Sequence, residues 1–485
     1  MLNQSISHTD SHDARGGVTA STAATVAAYS ILGAILLVTR LVGLGHSFWH
    51  DEIHTVAEVI RPGPGQIFAG PELNHELFSI IAWANRYVFG ESEIAYRLWS
   101  VVPFLIGAAV VTAWLHVRVT ALAGILFLYL ATISPLLLDI TRQARGYGLA
   151  FLAMGVMVVA ALEADRNRHT RAVATFCVAG VLGTWTLPQF GIAFVATGVM
   201  LLSNHDIQRR LATGLALSLI AIGLWYAPHV NELHAVSQDS GRVQIHSTWV
   251  VTAPIDQIVV PALVWIDGIA LVAGFLWLPI VLALVALMAS SPLARDRRVV
   301  LLLSMGAVAT VVVLWVAQTY VIPRYLSFLL VPLLVLLASG MAAVLAHLRD
   351  RPMILRTLAS FVALGVLGVR FVSIAPDVVR LPREAHRDAA AIVERSLPAD
   401  APVLAYLHNP TDLVYYLGRP VLVLRARDVA RKVCGDSQTV AYVMQPFALA
   451  PVDVPCLARV GVRHYRYEQY ARGDEMNVWL VPPGS

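Results

Sequence analysis

The sequence has few charged side chains. Asp, Glu, Lys and Arg make up 14% of its 485 residues, whereas hydrophobic residues make up 57% and the mean hydropathy is +0.67. Soluble domains average about 25% charged residues. This deficit excludes a soluble protein that folds around a single buried core. It predicts a polypeptide that is mostly embedded in a membrane.

Lysine, cysteine and nucleotide-binding motifs are also scarce. Lys432 is the only lysine among 35 basic residues, and the arginines are scattered, which argues against nucleic acid as a partner. No Gly-rich phosphate loop, GxSxG or HExxH motif is present, so ATP-driven transport has no support. Of three cysteines, Cys177 lies in a hydrophobic run. Cys434 and Cys456 leave two alternatives, a disulfide in an oxidising compartment or two free thiols.

Hydrophobic runs dominate what remains. A helix needs about 20 apolar residues to cross a bilayer, and about eleven runs are candidates. They cover residues 24–44, 98–115, 120–138, 146–162, 172–187, 189–203, 211–228, 268–290, 299–319, 325–346 and 355–374. The runs 172–187 and 189–203 are short and separated by Pro188, so we expect them to tilt or to form a pair of half-deep helices.

The arginines of the connecting loops predict the orientation. They are dense around residues 118, 166–171, 209–210, 295–298 and 349–356, and sparse in the alternate loops. By the positive-inside rule the first set is cytoplasmic. The N-terminus, 1–22, is then a disordered cytoplasmic segment, and the outside holds the loop 45–97, the loop 229–267 and the tail 376–485.

Three arginines oppose this rule, because Arg142, Arg145 and Arg324 lie beside helix ends on the outside. An anionic partner in the outer leaflet would stabilise them there. The stretch SPLLLDITRQARGYGL places Asp139, Arg142 and Arg145 at intervals of three, so they share one face if the segment is helical. Paired guanidinium groups suit a phosphate. The alternative is an Asp139–Arg142 ion pair beside one interfacial arginine.

Two acidic segments lie on the same outer side. In FWHDEIHT, Asp51 and Glu52 follow the first run directly, which suits a general base at the membrane surface, although a solvated polar cap is the simpler alternative. In NHELF, His75 and Glu76 precede FSIIAWANRYVFG, an amphipathic stretch that predicts an interfacial helix. They either cap that helix or face a substrate. Glu52, His75 and Glu76 also offer metal-ligand types, but form no compact motif.

The tail has a different pattern. Predicted helices over REAHRDAAAIVERSLP and TDLVYYLG alternate with predicted strands over VLAYLH, PVLVL, TVAYVM and NVWLVP. This alternation is typical of a small α/β domain of about 100 residues.

The order of these segments resembles the polytopic GT-C glycosyltransferases. The likeness is greatest to the bacterial branch related to protein O-mannosyltransferases, lipid A aminoarabinose transferases and rhizobial core galacturonosyltransferases. That family opens its first outer loop with an aromatic residue, a spacer and Asp-Glu, as in Trp49-His50-Asp51-Glu52. Further matches are Asn74-His75-Glu76-Leu77, Gly90-Glu91-Ser92-Glu93 with Arg97-Leu98, Arg145-Gly146-Tyr147-Gly148-Leu149 and Pro323-Arg324-Tyr325. Glu76 and Pro188-Gln189 depart from the family pattern.

The resemblance implies a polytopic α-helical membrane protein of the GT-C type with about 11 transmembrane helices. Its parts would be a transmembrane catalytic domain, 23–375, and an extracytoplasmic α/β domain, 376–485. The implied location is the inner or plasma membrane, with the active site and the C-terminus extracytoplasmic. A divalent metal is the one cofactor left open.

The implied reaction is the transfer of a hexosyl or pentosyl group from a polyprenyl-phosphate sugar donor to an extracytoplasmic lipid, glycan or protein. Asp51 would be the general base, assisted by Glu52. The other expected substrate-binding residues are His50, His75, Glu76, Arg142, Arg145, Tyr147, Arg324 and Tyr325. The alternative is a lipid or glycan transporter or flippase without catalysis, which would place charges near mid-membrane, often in inverted repeats. A non-catalytic scaffold and the transfer of a whole oligosaccharide are further alternatives.

Overall fold

The computed structural model describes residues 11–69, 75–229, 288–295, 297–316, 323–348, 368, 371–372, 375–407, 411–435, 438–444, 454–459, 463–468 and 475–483. The helices of its first part are α1 (Ser11–Leu41), α2 (His50–His54), α3 (Pro64–Ala69), α4 (Glu76–Phe89), α5 (Glu93–Arg118), α6 (Ala121–Ile133), α7 (Pro135–Ile140), α8 (Tyr147–Asn167), α9 (Thr170–Thr186), α10 (Phe190–Leu201), α11 (Gln208–Tyr226), α12 (Arg297–Val316) and α13 (Leu330–His347). Short 3₁₀ turns cover Ala227–His229, Pro292–Arg295 and Pro323–Leu329, and a π-helical turn covers Thr55–Ile60.

Within the described residues, four helical segments are long and apolar enough to cross a membrane, namely Thr22–Leu41, Glu93–Arg118, Tyr147–Asn167 and Arg324–His347. Ala121–Ile133, Phe190–Leu201 and Arg298–Leu314 are shorter apolar helices. These elements confirm a polytopic helical membrane protein. Most of the predicted runs 268–290 and 355–374, and nearly all of the loop 229–267, lie outside the described residues.

Helix α1 begins earlier than we expected. It starts at Ser11, within the segment 1–22 that the sequence predicts to be disordered. The stretch TASTAATVAAY, residues 19–29, is rich in alanine, the best helix former. Extending an existing helix backwards also costs less than nucleating a new one.

The predicted run 120–138 is two helices rather than one. Helix α6 ends at Ile133 and α7 begins at Pro135, whose ring supplies no N–H and suits the first position of a helix. Between them, the Ser134 hydroxyl accepts a hydrogen bond of 3.3 Å from the Leu137 amide and caps the new helix. Helix α7 then ends at Ile140, which leaves a non-helical turn before α8.

Helices α9 and α10 replace the two short predicted runs, with Leu187, Pro188 and Gln189 between them. With 12 residues, α10 is about 18 Å long at 1.5 Å per residue, short of the roughly 30 Å of a hydrocarbon core. The expectation of a short helix therefore fits α10. Helix α4 lies where FSIIAWANRYVFG predicts an interfacial helix.

We call the site end of the bundle the end at which α1 terminates and α5 and α8 begin. At the opposite end, arginines of the short connecting loops pair with acids. Arg118 Nη2 lies 2.7 Å from Glu163 Oε2, and Arg298 Nε lies 2.6 Å from Asp165 Oδ1. Those loop arginines are therefore engaged in ion pairs within the protein.

The C-terminal region contains a five-stranded mixed sheet in the order β2-β1-β3-β5-β4. The strands are β1 (Val403–Tyr406), β2 (Leu422–Val423), β3 (Val440–Met444), β4 (Arg463–Glu468) and β5 (Glu475–Val481). The helices are α14 (His386–Ser396), α15 (Thr411–Leu417), α16 (Ala426–Cys434) and α17 (Pro455–Arg459). Strand β1 pairs in parallel with β2 and β3, whereas β5 pairs antiparallel with β3 and β4. The predicted strands are present, and the sequence reading missed α16, α17 and β4.

Helices cover both faces of this sheet. Alternate residues of β1 and β3 pack on α14 and α15 on one face, and on α16 and the segment around Cys456 on the other. A disulfide joins Cys434 and Cys456, the first of the two alternatives for these thiols. It links the end of α16 to the start of α17.

Close packing of α5 on α8 supports the site end. A Cβ placed on Gly148 would lie 1.8 Å from the Ser100 carbonyl oxygen, so only glycine allows this approach of the two backbones. The contact lies one residue after Tyr147, which begins α8.

We expect Gly148→Ala to destabilise the protein by roughly 1–3 kcal/mol, because the methyl group forces two backbones apart. Thermal unfolding of the purified protein in detergent measures the effect. Gly223→Ala in α11 is the matched control, because nothing lies within 4 Å of a Cβ there. An equal change in both variants would contradict the packing argument.

Candidate active site

A carboxylate and two arginines from distant parts of the chain meet at the site end. Asp51 lies in the first turn of α2, Arg145 lies two residues before the start of α8, and Arg324 lies in the 3₁₀ turn that precedes α13. Arg145 Nη1 is 2.7 Å from Asp51 Oδ2, and Arg324 Nη2 contacts the same oxygen. Two guanidinium groups therefore share one carboxylate oxygen.

This group has an excess of positive charge and little solvent around it. Arg145 is 4% exposed, while the side chains of Asp51 and Arg324 are partly exposed. Arg324 also lies over the Trp49 ring, with its guanidinium carbon 5.0 Å from the ring centroid. An arginine pair in such surroundings binds anions more strongly than it would in water.

Three aromatic rings lie next to the arginines. The ring centroids of His75 and Tyr147 are 4.8 Å apart, and those of Tyr147 and Tyr325 are 6.2 Å apart. The Tyr325 hydroxyl accepts a hydrogen bond of 3.3 Å from Arg145 Nη2. The Tyr147 hydroxyl is buried and has no hydrogen-bond partner among the described residues.

His75 has an unusual backbone conformation. Its φ is 68°, in the left-handed region, and its side chain is fully buried with no partner for either ring nitrogen among the described residues. Burial lowers the pKa of His75 well below its usual value, and the charges of Arg145 and Arg324 lower it further. The ring is therefore neutral. Gly146 allows its approach, because a Cβ there would lie 2.9 Å from His75 Nδ1. Strain of this kind concentrates at functional sites.

Glu52 is completely buried. Its two oxygens accept hydrogen bonds from Arg97, at 2.8 Å from Nε and 2.6 Å from Nη2. They also accept bonds from two backbone amides, Ala144 at 2.5 Å and Trp49 at 3.2 Å. Glu52 therefore connects α2, α5 and the turn before α8.

Arg97 extends these connections into the first loop. Its Nη1 donates to the carbonyl oxygens of Leu44 and His46, each at 2.7 Å, and its Nη2 donates to that of Ser47 at 3.1 Å. Since Asp51 adjoins Glu52 and Arg145 adjoins Ala144, the Glu52–Arg97 pair sets the separation of Asp51 and Arg145.

The predicted arrangement of Asp139, Arg142 and Arg145 on one helical face is wrong, because α7 ends at Ile140. Arg142 instead donates to two carbonyl oxygens, those of Val42, at 2.6 Å, and Val378. Asp139 Oδ2 accepts from Arg383 Nη1 at 3.1 Å. Arg142 thus ties the end of α1 to the segment before the C-terminal sheet.

Two other expected substrate-binding residues also have partners within the protein. His50 Nδ1 lies 3.1 Å from Asp412 Oδ1, and this carboxylate raises the pKa of His50. The Glu76 carboxylate accepts a hydrogen bond from Trp225 Nε1. Among the described residues, the metal-ligand types that come close together are Glu384, His386 and Asp412, and not Glu52, His75 and Glu76.

The sequence reading missed several residues that shape this end of the bundle. They are Arg97 and the C-terminal residues Arg383, Glu384, His386 and Asp412. Arg97 could have been found, because a charged residue at the edge of an apolar run needs a buried partner. The C-terminal residues gave no comparable signal, because their contacts depend on how the tail packs on the first loop.

We expect Glu52→Gln to destabilise the protein by about 3–5 kcal/mol, because it leaves the Arg97 charge buried without its anion. The measurement is the thermal unfolding midpoint in detergent. Glu91→Gln is the control, because the Arg61–Glu91 pair is 40% exposed on both sides and is worth about 0–1 kcal/mol. Similar midpoints for the two variants would contradict the positioning role of Glu52.

His46 gives the site end a dependence on pH. It lines a small polar cavity of about 30 Å³ together with Arg97 and Arg142. Burial lowers the pKa of His46 from 6.5 to about 4, and the charges of Arg142 and Arg97 contribute. The folded ring stays neutral between those values while the unfolded chain takes up a proton, so stability is lost as the pH falls through this window.

We therefore expect His46→Gln to reduce the loss of stability between pH 7 and pH 5. The measurement is the change in unfolding midpoint between the two pH values, determined for the wild type and for the variant. Comparing the two changes removes the contribution of other titrating groups, which both proteins share. An equal drop in the two proteins would show that His46 does not contribute.

Comparison with known proteins identifies solved structures of similar fold. No family model and no curated protein matches the sequence. Among solved structures, ArnT from Cupriavidus metallidurans in the apo state aligns over 95% of this chain and 98% of its own, with a TM-score of 0.51 and 15% identity. The oligosaccharyltransferase AglB from Archaeoglobus fulgidus, in complex with an inhibitory peptide and a dolichol-phosphate, aligns over 93% of this chain and 74% of its own, with a TM-score of 0.51 and 12% identity.

A second structure of the Archaeoglobus fulgidus oligosaccharyltransferase, tethered with an acceptor peptide, gives a TM-score of 0.52 at 11% identity and covers 86% of this chain and 68% of its own. At these identities the likeness concerns the fold. The chain shares the fold of these ArnT and oligosaccharyltransferase structures.

Proposed function

We propose that the protein is a membrane glycosyltransferase that moves a sugar from a polyprenyl-phosphate donor to an extracytoplasmic acceptor. The observation that carries the proposal is the contact of Asp51 with Arg145 and Arg324 beside the rings of His75, Tyr147 and Tyr325. The complex of the similar AglB with a dolichol-phosphate supports the lipid class of the donor.

The two arginines are the proposed phosphate site. Both come from segments next to the site end of membrane helices, where a lipid headgroup would lie. A guanidinium pair matches the charge and the oxygen geometry of a phosphate. Tyr325, which already bonds to Arg145 Nη2, and Tyr147, whose hydroxyl has no partner among the described residues, supply further donors.

Asp51 takes the place of an anion between the arginines. When a phosphate binds, it competes with Asp51 for both guanidinium groups, and the carboxylate is released toward the acceptor. Donor binding and activation of the base are then coupled. The coupling would prevent Asp51 from acting before the donor is in place.

The chemical step follows from this arrangement. Asp51 takes the proton of the acceptor hydroxyl, and the acceptor oxygen forms a bond to the anomeric carbon. The bond from that carbon to the phosphate oxygen breaks, and its electron pair stays on the polyprenyl phosphate, where Arg145 and Arg324 stabilise the charge. One base and an anionic leaving group need no covalent intermediate, so the configuration inverts.

The other expected residues take different roles in this proposal. Glu52 is a positioning residue, because Arg97 and two amides use both of its oxygens. Arg142 holds backbone carbonyls and lies outside the phosphate site. His75 faces the substrate, because its neutral ring offers one donor and one acceptor that no described residue uses. Glu76 and His50 support the pocket wall through Trp225 and Asp412.

We place the site on the extracytoplasmic side of the inner or plasma membrane. The arginine distribution predicts this side, and the Cys434–Cys456 disulfide supports it, because disulfides persist in oxidising compartments. Native mass spectrometry of the purified protein with its bound lipid would identify the donor, and a co-purified polyprenyl-phosphate sugar is the expected species.

We expect Asp51→Asn to slow transfer from that donor by roughly 10²–10⁴-fold, the usual contribution of a general base. The same variant should bind polyprenyl phosphate as tightly as the wild type or more tightly, because the arginines no longer have an internal anion. A transfer assay and a lipid-binding titration provide the two measurements. Glu58→Gln is the control, because Glu58 is an exposed acid near Asp51.

Two results would contradict this proposal. Near-normal turnover by Asp51→Asn removes Asp51 as the base, whereas the absence of transfer by the wild type would favour a transporter or scaffold. Weaker lipid binding by the same variant contradicts the exchange of Asp51 for phosphate. Arg324→Ala should weaken binding of the lipid, and an unchanged affinity would remove Arg324 from the phosphate site.

A further inference from the structure

A second cluster of charged groups lies where the C-terminal region contacts the first loop. It consists of Glu384, His386 and Asp412, whose side chains are 6%, 1% and 3% exposed. Glu384 directly precedes Ala385 and α14, His386 begins α14, and Asp412 lies in the first turn of α15. None of these residues belongs to the proposed phosphate site.

The ligand atoms of this cluster face one another. His386 Nε2 lies 3.0 Å from Glu384 Oε2 and 3.5 Å from Asp412 Oδ2, and all three ligand atoms lie within 4.8 Å of one another. Tetrahedral zinc with bonds of about 2.0–2.2 Å separates its ligand atoms by about 3.3–3.6 Å. The distances from His386 Nε2 to the two carboxylates are close to this separation, so an ion fits between the three atoms once the carboxylates adjust.

A metal explains this geometry better than hydrogen bonds alone. A single imidazole nitrogen carries at most one proton, yet His386 Nε2 faces two carboxylates. Two buried carboxylates beside one imidazole also need compensating positive charge. A divalent cation would balance both carboxylates.

The surroundings of the cluster resemble the outer contacts of a metal site. His50 Nδ1 lies 3.1 Å from Asp412 Oδ1, which leaves Oδ2 directed at His386. The His50 amide donates to Glu384 Oε2 at 3.0 Å. Hydrogen bonds of this kind orient ligating carboxylates. His50 is 41% exposed at its side chain and so lies between the cluster and solvent.

We propose that Glu384, His386 and Asp412 bind one divalent transition-metal ion, with Zn²⁺ as the preferred species, and that His50 orients Asp412. One imidazole and two carboxylates form a ligand set that suits zinc, and three protein ligands leave a fourth coordination position for solvent. The ion clamps the start of α14 against the start of α15, and the hydrogen bonds of His50 connect this clamp to the loop that carries Asp51. The clamp does not depend on the proposed reaction, and its test does not use transfer activity.

The test is zinc analysis of the full-length, tag-free protein. The purified chain is stripped with a chelator, incubated with a small excess of ZnCl₂, desalted and analysed by elemental mass spectrometry. We expect about one zinc per wild-type chain, and at least a tenfold lower content in His386→Ala and in Asp412→Asn. His54→Ala is the matched control and should keep the wild-type zinc content, because His54 lies one turn after His50 and pairs with Glu58.

His50→Ala distinguishes an orienting residue from a ligand. We expect it to lower zinc affinity by about 10–100-fold while the zinc content at saturation stays at one per chain. Loss of saturable binding would make His50 a ligand and contradict the assigned role. Wild-type affinity would remove His50 from the site.

A measurement on the wild type alone covers the case in which the variants do not fold. Co²⁺ added to the stripped protein should produce the visible absorption of a tetrahedral site, which an equal amount of Zn²⁺ should abolish. Zinc should also raise the thermal unfolding midpoint. Wild-type protein that takes up no more zinc than His386→Ala, or that shows no Zn²⁺-sensitive Co²⁺ spectrum, would overturn the proposal.

Discussion

The buried pair of Glu52 and Arg97 is the interaction on which the site depends. Charges are costly inside a protein that is itself largely in a membrane, so each of these two groups needs the other and a full set of hydrogen bonds. That requirement makes the pair a rigid connection. It holds the first loop through the carbonyls of Leu44, His46 and Ser47, and the turn before α8 through the Ala144 amide. Asp51 and Arg145 adjoin these fixed points, and their contact follows from this geometry.

The neighbouring Asp51 and Glu52 show how environment separates two adjacent carboxylates. Glu52 points into the protein and makes four hydrogen bonds within it, so its role is to position other groups. Asp51 points toward two arginines that exceed it in charge, in partial contact with solvent, so an incoming anion can displace it. The two neighbouring carboxylates therefore differ in their partners and in their access to solvent. The aromatic rings of His75, Tyr147 and Tyr325 lie next to the arginines.

Part of this arrangement could be predicted from the sequence. Hydrophobic runs predict most of the described membrane helices, because burial in lipid requires long apolar segments. The predicted side of the membrane for each loop then places Asp51, Arg145 and Arg324 at the same end of the bundle. The points at which helices end were harder to predict. Ser134-Pro135 divides one predicted run into two helices, and α7 ends at Ile140, so Arg142 and Arg145 do not share a helical face. The roles of Glu384 and Asp412 could not be predicted, because they depend on contacts with His50, which lies 334 and 362 residues earlier in the chain.

The long sequence separations within the site have a consequence for biosynthesis. Arg324 follows its partner Asp51 by 273 positions, and Asp412 follows its partner His50 by 362. At translation rates of about 5–20 residues per second, Arg324 emerges roughly 15–55 s after Asp51. Translation that ends before Arg324 therefore leaves a membrane-inserted fragment that lacks one of the two arginines. The two arginines can therefore meet Asp51 only after residue 324 has been synthesised.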